Sequence, residues 1–226
     1  MDAAMTQYTQ RTPTIDYDNP LVSDFAREHT KKCADERERA VSLYYAVRDG
    51  IRYDPYHINL SVEGLRASAT LQAGHGWCIS KSILLAACCR LLGIPARLGF
   101  ADVRNHLSTE RMRALMQTDV FFWHGYASLF LGGVWVKATP AFNIELCHKF
   151  RLQPLDFDGI HDSLYHSFDL DGNRHMDYIR FREELPDVPI DEIIETFQRE
   201  YSADLSWDHA DFDRDVDRET GTDRLR

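Results

Sequence analysis

The chain has 226 residues, with 26 Lys and Arg against 36 Asp and Glu, giving a formal charge of −10. At 44% hydrophobic and 27% charged it has ordinary globular composition, which excludes a fibrous repeat or wholesale disorder. The acidic balance repels a phosphate backbone and no basic patch relieves it, so no nucleic-acid partner is expected.

No apolar run reaches the ~18 residues needed to span a bilayer, so no membrane partner is expected either. Met1–Pro20 carries Asp2, Asp16 and Asp18 and has no hydrophobic signal region. Cysteines stand at 33, 78, 88, 89 and 147 without a C-x-x-C pair, a poor disulfide framework. The expected compartment is therefore the reducing cytoplasm. Metal-ligand spacing is absent, so no metal and no cofactor is expected.

In chain order, residues 1–20 read as an extended arm, 21–203 as one domain and 204–226 as an acidic, loosely ordered tail. Helices are predicted over Leu21–Lys32 and Ala34–Arg48, the second with Ala40, Leu43, Tyr44 and Val47 on one face. Ile51–Leu60 reads as irregular. A short helix at Val62–Leu71 and a turn at Gly74-His75-Gly76 follow. The strongest helix is Cys78–Leu92, apolar nearly all round, so it is expected at the centre of the core. Ala96–Asp102 reads as a strand and Ser108–Met116 as a helix. The β-rich runs Val120–Phe130 and Val134–Ala138 flank Gly132-Gly133, a hairpin signal. Beyond Pro140 the chain is turn-rich, with a strand at Tyr178–Arg182 and a helix at Ile190–Glu200. Helices, a buried helix and antiparallel strands make the fold class α+β.

Gly76-Trp77-Cys78 puts a thiol at the start of the buried helix. There the helix dipole and free N–H groups favour a thiolate and could hold an oxyanion, so Cys78 is expected to be partly ionised near neutral pH. A nucleophilic cysteine needs a base. Among ten histidines His124 stands out, because it interrupts the apolar run Val120–Tyr126. The blander reading is a small apolar cysteine and a core histidine, and for Cys88, Cys89 and Cys147 that reading is preferred.

Trp77-Cys78, the helix behind it, Leu92-Gly93-Ile94-Pro95-Ala96-Arg97, Trp123-His124-Gly125 and Val134-Trp135-Val136-Lys137 together resemble the transglutaminase-like superfamily. The resemblance covers about Leu71 to Asn143. It implies a papain-like α+β fold in which Cys78 attacks an amide carbonyl, leaving a thioester, and His124 moves the proton. It implies a peptide or protein substrate bearing the amide, with water or an amine as acceptor. The family's usual Asp before the closing proline is here Thr139. Asn143, four residues on, is the slightly favoured orienter of His124, as in Cys–His–Asn enzymes. Loss of that Asp also supports a second reading, a decayed binding or scaffold module on the same fold. Gln72, six residues before Cys78, and the polar run Asp102–His106 are weaker candidates.

Overall fold

The computed structural model describes residues 3–165, 167–201 and 210–221. After α1 (Ala3–Thr6), the helix α2 (Pro20–Thr30) starts where Asn19 Oδ1 accepts from the Leu21 amide, with proline in the first turn. Asp35 caps α3 (Glu36–Gly50) in the same way, accepting from the Glu38 amide. The strand β1 (Arg52–Tyr53) follows. The helical run expected at Val62–Leu71 divides at Arg66, whose ψ of 141° is extended, into α4 (Val62–Leu65) and α5 (Ala67–Ala73). Gly74, at φ +68°, closes α5 and leads into β2 (His75–Gly76), which pairs in parallel with β1.

Then come α6 (Cys78–Leu91), β3 (Ala96–Asn105), α7 (Glu110–Met116), β4 (Val120–Leu131) and β5 (Val134–Ala138). The β4–β5 turn uses Gly132 and Gly133, both at positive φ. The chain continues through α8 (Ile144–Lys149), β6 (Met176–Leu185), α9 (Ile190–Glu200) and α10 (Phe212–Thr220). An antiparallel sheet of order β5-β4-β3-β6 packs against α6, which is buried from Cys78 to Arg90. This is the expected α+β arrangement.

Two buried cations on α6 tie the layers together. Lys81, wholly buried, donates to the carbonyls of Arg48 (2.9 Å) and Ile51 (2.5 Å), serving orphan acceptors at the end of α3. Burial lowers its pKa to about 7. Arg90, at the other end, donates to the carbonyls of Ala96, Gln10 and Pro186. It thus joins the helix to β3, the N-terminal segment and the chain after β6.

Three expectations need correction. The described part of the expected extended arm packs on the domain: Ile15 is buried, Asp16 accepts from the Ser68 amide, and the Tyr8 carbonyl accepts from the Ala96 amide. The helix α8 was not expected, because six residues after a proline carry too little periodicity. Part of the presumed loose tail is α10, capped by Asp211 and docked through Phe212 and Val216; residues 202–209 and 222–226 lie outside the described residues. No described helix is long and apolar enough to cross a membrane.

Lys81→Met keeps the apolar stem but leaves two buried carbonyls without their donor. It should cost roughly 2–4 kcal/mol in urea unfolding with an unchanged m-value. A loss under ~1 kcal/mol would mean that the ammonium contributes little to joining α3 and α6.

Candidate active site

Trp77 is extended and α6 begins at Cys78. The Ser80 hydroxyl turns back on Trp77, accepting from its amide (3.0 Å) and donating to its carbonyl (3.2 Å), which fixes the entry to the helix. The amides of Cys78 and Ile79 face the sulfur, as the geometry of a helix start dictates. A third amide, that of Gly125, reaches the sulfur from β4. This approach requires glycine. A Cβ at position 125 would lie 2.9 Å from Ile79 Cα and 3.0 Å from its Cγ1.

His124 stands beside it on β4, aimed by a defect in the strand. Ala101 pairs with His124 but Val103 pairs with Phe121, so β4 carries one extra residue. The bulge falls on Trp123, at φ +61°, a conformation that costs a bulky residue on the order of 1–2 kcal/mol. The surroundings hold it there. The Trp123 amide donates to Asp102 Oδ1 (3.3 Å), its indole Nε1 to Thr196 Oγ1 (2.9 Å), and the Arg182 guanidinium lies 4.1 Å over its ring. Arg182 in turn donates to Asp102 (2.7 Å). The His124 ring sits near Tyr165 and Tyr178, with centroids 5.7 and 6.3 Å away.

Burial decides the charge state. Cys78 and His124 are each only 6% exposed. Desolvation pushes the Cys78 thiol up to about 11, despite the opposing pull of the three amides. Desolvation, aided by His175, pushes His124 down to about 4. The resting pair is therefore neutral thiol and neutral imidazole, not the partly ionised cysteine that the helix dipole alone suggests. The dipole is worth about 0.3–1 kcal/mol at an exposed site and is outweighed here.

The proposed orienter Asn143 is not brought to His124. Its Oδ1 accepts from the Tyr53 amide (3.0 Å) and its Nδ2 donates to Glu145 (2.8 Å), so its amide joins β1 to α8 instead. His124 Nε2 is buried and has no hydrogen-bond partner; neither has Thr139 Oγ1, which lies beside Tyr178 at the end of β5. Gln72 is exposed on α5, remote in role from the pocket it was considered for. Asp102 supports the bulge, Arg104 pairs with Asp119, and His106 pairs with Asp177; Asn105 lines the pocket, as does the apolar Val103 within the run. Cys88, Cys89 and Cys147 are buried as core residues. Sequence reasoning missed Gly125, although glycine directly after a strand histidine was its signal. It also missed Trp123 and its clamp, which leave no local signature.

Cys78 and His124 open into a pocket of about 620 Å³, counting space open to solvent. Tyr53, Trp77, Met112, Phe122, Phe142 and Phe197 are among its walls, and among the described residues no lysine, arginine, aspartate or glutamate lines it. The sequence profile of the transglutaminase-like superfamily matches residues 23–140, just over half of the chain, and that span holds both side chains. The chain belongs to the transglutaminase-like superfamily. No curated protein matches it closely enough to count as a relative. Among solved structures it resembles the "Putative Cysteine Protease" of Cytophaga hutchinsonii, at 16% identity and a TM-score of 0.49 over 83% of this chain and 58% of that one. A second likeness, at 15% identity and a TM-score of 0.37, is to the "Putative Protease" of Parabacteroides distasonis, covering 56% of this chain and 26% of that one. The chain thus spans less than two thirds of either structure, and at these scores neither likeness bears on activity.

Because the folded His124 titrates at about 4 and an unfolded histidine near 6.5, its contribution to stability is fully present above pH ~6.5. It is lost as pH falls towards 4, by up to roughly 3 kcal/mol. His124→Gln should flatten that part of the stability-versus-pH curve, measured by urea unfolding at pH 7, 5.5 and 4.5. An unaltered acid limb would contradict a buried neutral imidazole.

Proposed function

We propose that the protein is a cysteine-dependent enzyme acting on amide bonds, with Cys78 as nucleophile and His124 as its base. Three backbone amides that favour the thiolate of a buried cysteine, in a pocket it shares with a neutral imidazole, support this reading most directly. Cys78 Sγ attacks the carbonyl carbon while its proton passes to His124, which is neutral and free to accept at pH 7. The developing oxyanion draws on N–H groups at the start of α6. His124 then returns the proton to the leaving amine as the C–N bond breaks, and a thioester remains on Cys78. Water or a second amine resolves it, giving a peptidase or amidase in the first case and an acyl transferase in the second.

Since the resting pair is neutral, the proton moves with the attack rather than before it. The aromatic and methionine side chains among the described walls fit an acyl group carrying a bulky apolar side chain. By analogy with single-domain members of the superfamily, water is the favoured acceptor, and five cysteines without a disulfide framework favour the reducing cytoplasm. The rival, a binding module with a decayed site, draws support from the unpaired His124 Nε2 and from Thr139 standing where a carboxylate is usual.

Two labelling experiments separate these readings. Limiting iodoacetamide at pH 7 should modify the half-buried Cys33 before Cys78, because burial keeps the Cys78 thiol protonated. A peptidyl acyloxymethyl ketone with phenylalanine at the reactive end should reverse that order, labelling Cys78 faster than the aspartate or lysine analogues. His124→Ala should slow this labelling at least ~100-fold with far less effect on Cys33. If the ketones modify Cys78 no faster than iodoacetamide does, the enzymatic reading fails and the binding module takes its place.

A further inference from the structure

A second cluster lies on the opposite face of the β1–β2 ladder. Arg52 pairs with His75 and Tyr53 with Gly76, and the Asp54 amide donates to the Gly76 carbonyl (2.9 Å). Alternation along the strands turns Tyr53 towards the Cys78 pocket and leaves Asp54 and His75 on the other side. The turn Asp54-Pro55-Tyr56-His57 is closed by the Tyr56 amide on Asp54 Oδ1 (3.0 Å), and it brings His57 back over Asp54. His57 Nδ1 lies 2.9 Å from Asp54 Oδ2, and the His57 and His75 ring centroids are 5.0 Å apart. One donor atom from each of Asp54, His57 and His75 can be chosen so that all three lie within 4.8 Å of one another.

We propose that Asp54, His57 and His75 form a binding site for one divalent transition-metal ion of the zinc type, with solvent completing its coordination. One carboxylate and two imidazoles on a single ion is the donor set of open zinc sites, and imidazole disfavours calcium and magnesium. Tetrahedral ligands held ~2.1 Å from one ion lie about 3.4 Å apart, which falls between the 2.9 Å of Asp54 to His57 and the 4.8 Å that bounds the three donors, so an adjustment on the order of 1 Å would complete the set. His75 Nδ1 is buried with no hydrogen-bond partner, and coordination would satisfy it.

Asp54 is 2% exposed and supplies the fixed anchor, whereas His57 is mostly exposed and supplies the route from solvent. The competing cation is Arg52, 3.4 Å from Asp54 Oδ2. Its other arm already reaches Asp213 at 2.5 Å, and with Asp54, Asp211 and Asp213 acting on it the rim remains net acidic. Cys78 is not among the ligands, so the site does not depend on the enzymatic reading. It touches the same element, since His75 is three residues before Cys78 in one continuous segment.

The test uses the full chain after dialysis against chelator. Isothermal titration with zinc chloride should show one equivalent bound, with a rise in melting temperature that EDTA reverses. Cobalt(II) should bind with visible absorption bands that zinc bleaches. His57→Ala, at an exposed position, should leave the metal-free melting temperature unchanged while weakening zinc at least ~10-fold. His75→Gln should weaken zinc similarly, and Cys78→Ser should bind as the unaltered chain does. The proposal is overturned if no stoichiometric binding occurs, if His57→Ala and His75→Gln both retain full affinity, or if Cys78→Ser alone abolishes it.

Discussion

The closeness of β4 to the first turn of α6 is the constraint on which the site depends. A strand and a helix ordinarily keep side chains between them, yet at Gly125 the backbone itself approaches Ile79 too closely to admit a Cβ. That contact delivers the Gly125 amide to the Cys78 sulfur, and the preceding residue, His124, comes with it. The rest of the core serves to hold the two elements at that separation. Lys81 fixes α6 against the end of α3, and Arg90 fixes its far end to the start of β3, which is the strand that carries β4.

Placing a strained residue beside His124 has a physical logic. The bulge at Trp123 is unfavourable in isolation, so its geometry persists only because three separate elements hold the residue: Asp102 on β3, Arg182 on β6 and Thr196 on α9. Those are the same elements that wall the sheet side of the domain. The angle at which His124 leaves β4 therefore depends on tertiary packing rather than on its own strand. The resting orientation of the imidazole needs less from an orienting side chain as a result.

Most of this architecture was legible in the sequence because its signals are local. The apolar rows of α6, the Gly132-Gly133 hairpin and the end of α9 at Glu200 need only neighbours to be read. Cys78 drew attention by its place at a helix start, whereas His124, inside an apolar strand, was chosen over a core role only through the resemblance to the superfamily. What escaped was set by distant partners. Asn143 sits four residues beyond the expected carboxylate position, and nothing near it reveals that Tyr53, ninety residues earlier, takes its carbonyl. The charge of Cys78 escaped for a related reason: the helix dipole is visible in sequence, but the depth of burial that outweighs it is not.

Thr139 then becomes intelligible alongside the neutral pair. Position 139 is 1% exposed, among Tyr44, Tyr178 and the buried end of β5. A carboxylate there would carry a desolvation cost that only a charged imidazole could repay. His124, driven down to about 4 by apolar surroundings and by His175, carries no charge at rest to do so. Threonine avoids that cost and keeps a hydroxyl beside Tyr178. The threonine at 139 and the depressed basicity at 124 are thus two sides of one electrostatic choice: Cys78 and His124 both rest uncharged, and the site stores no ion pair.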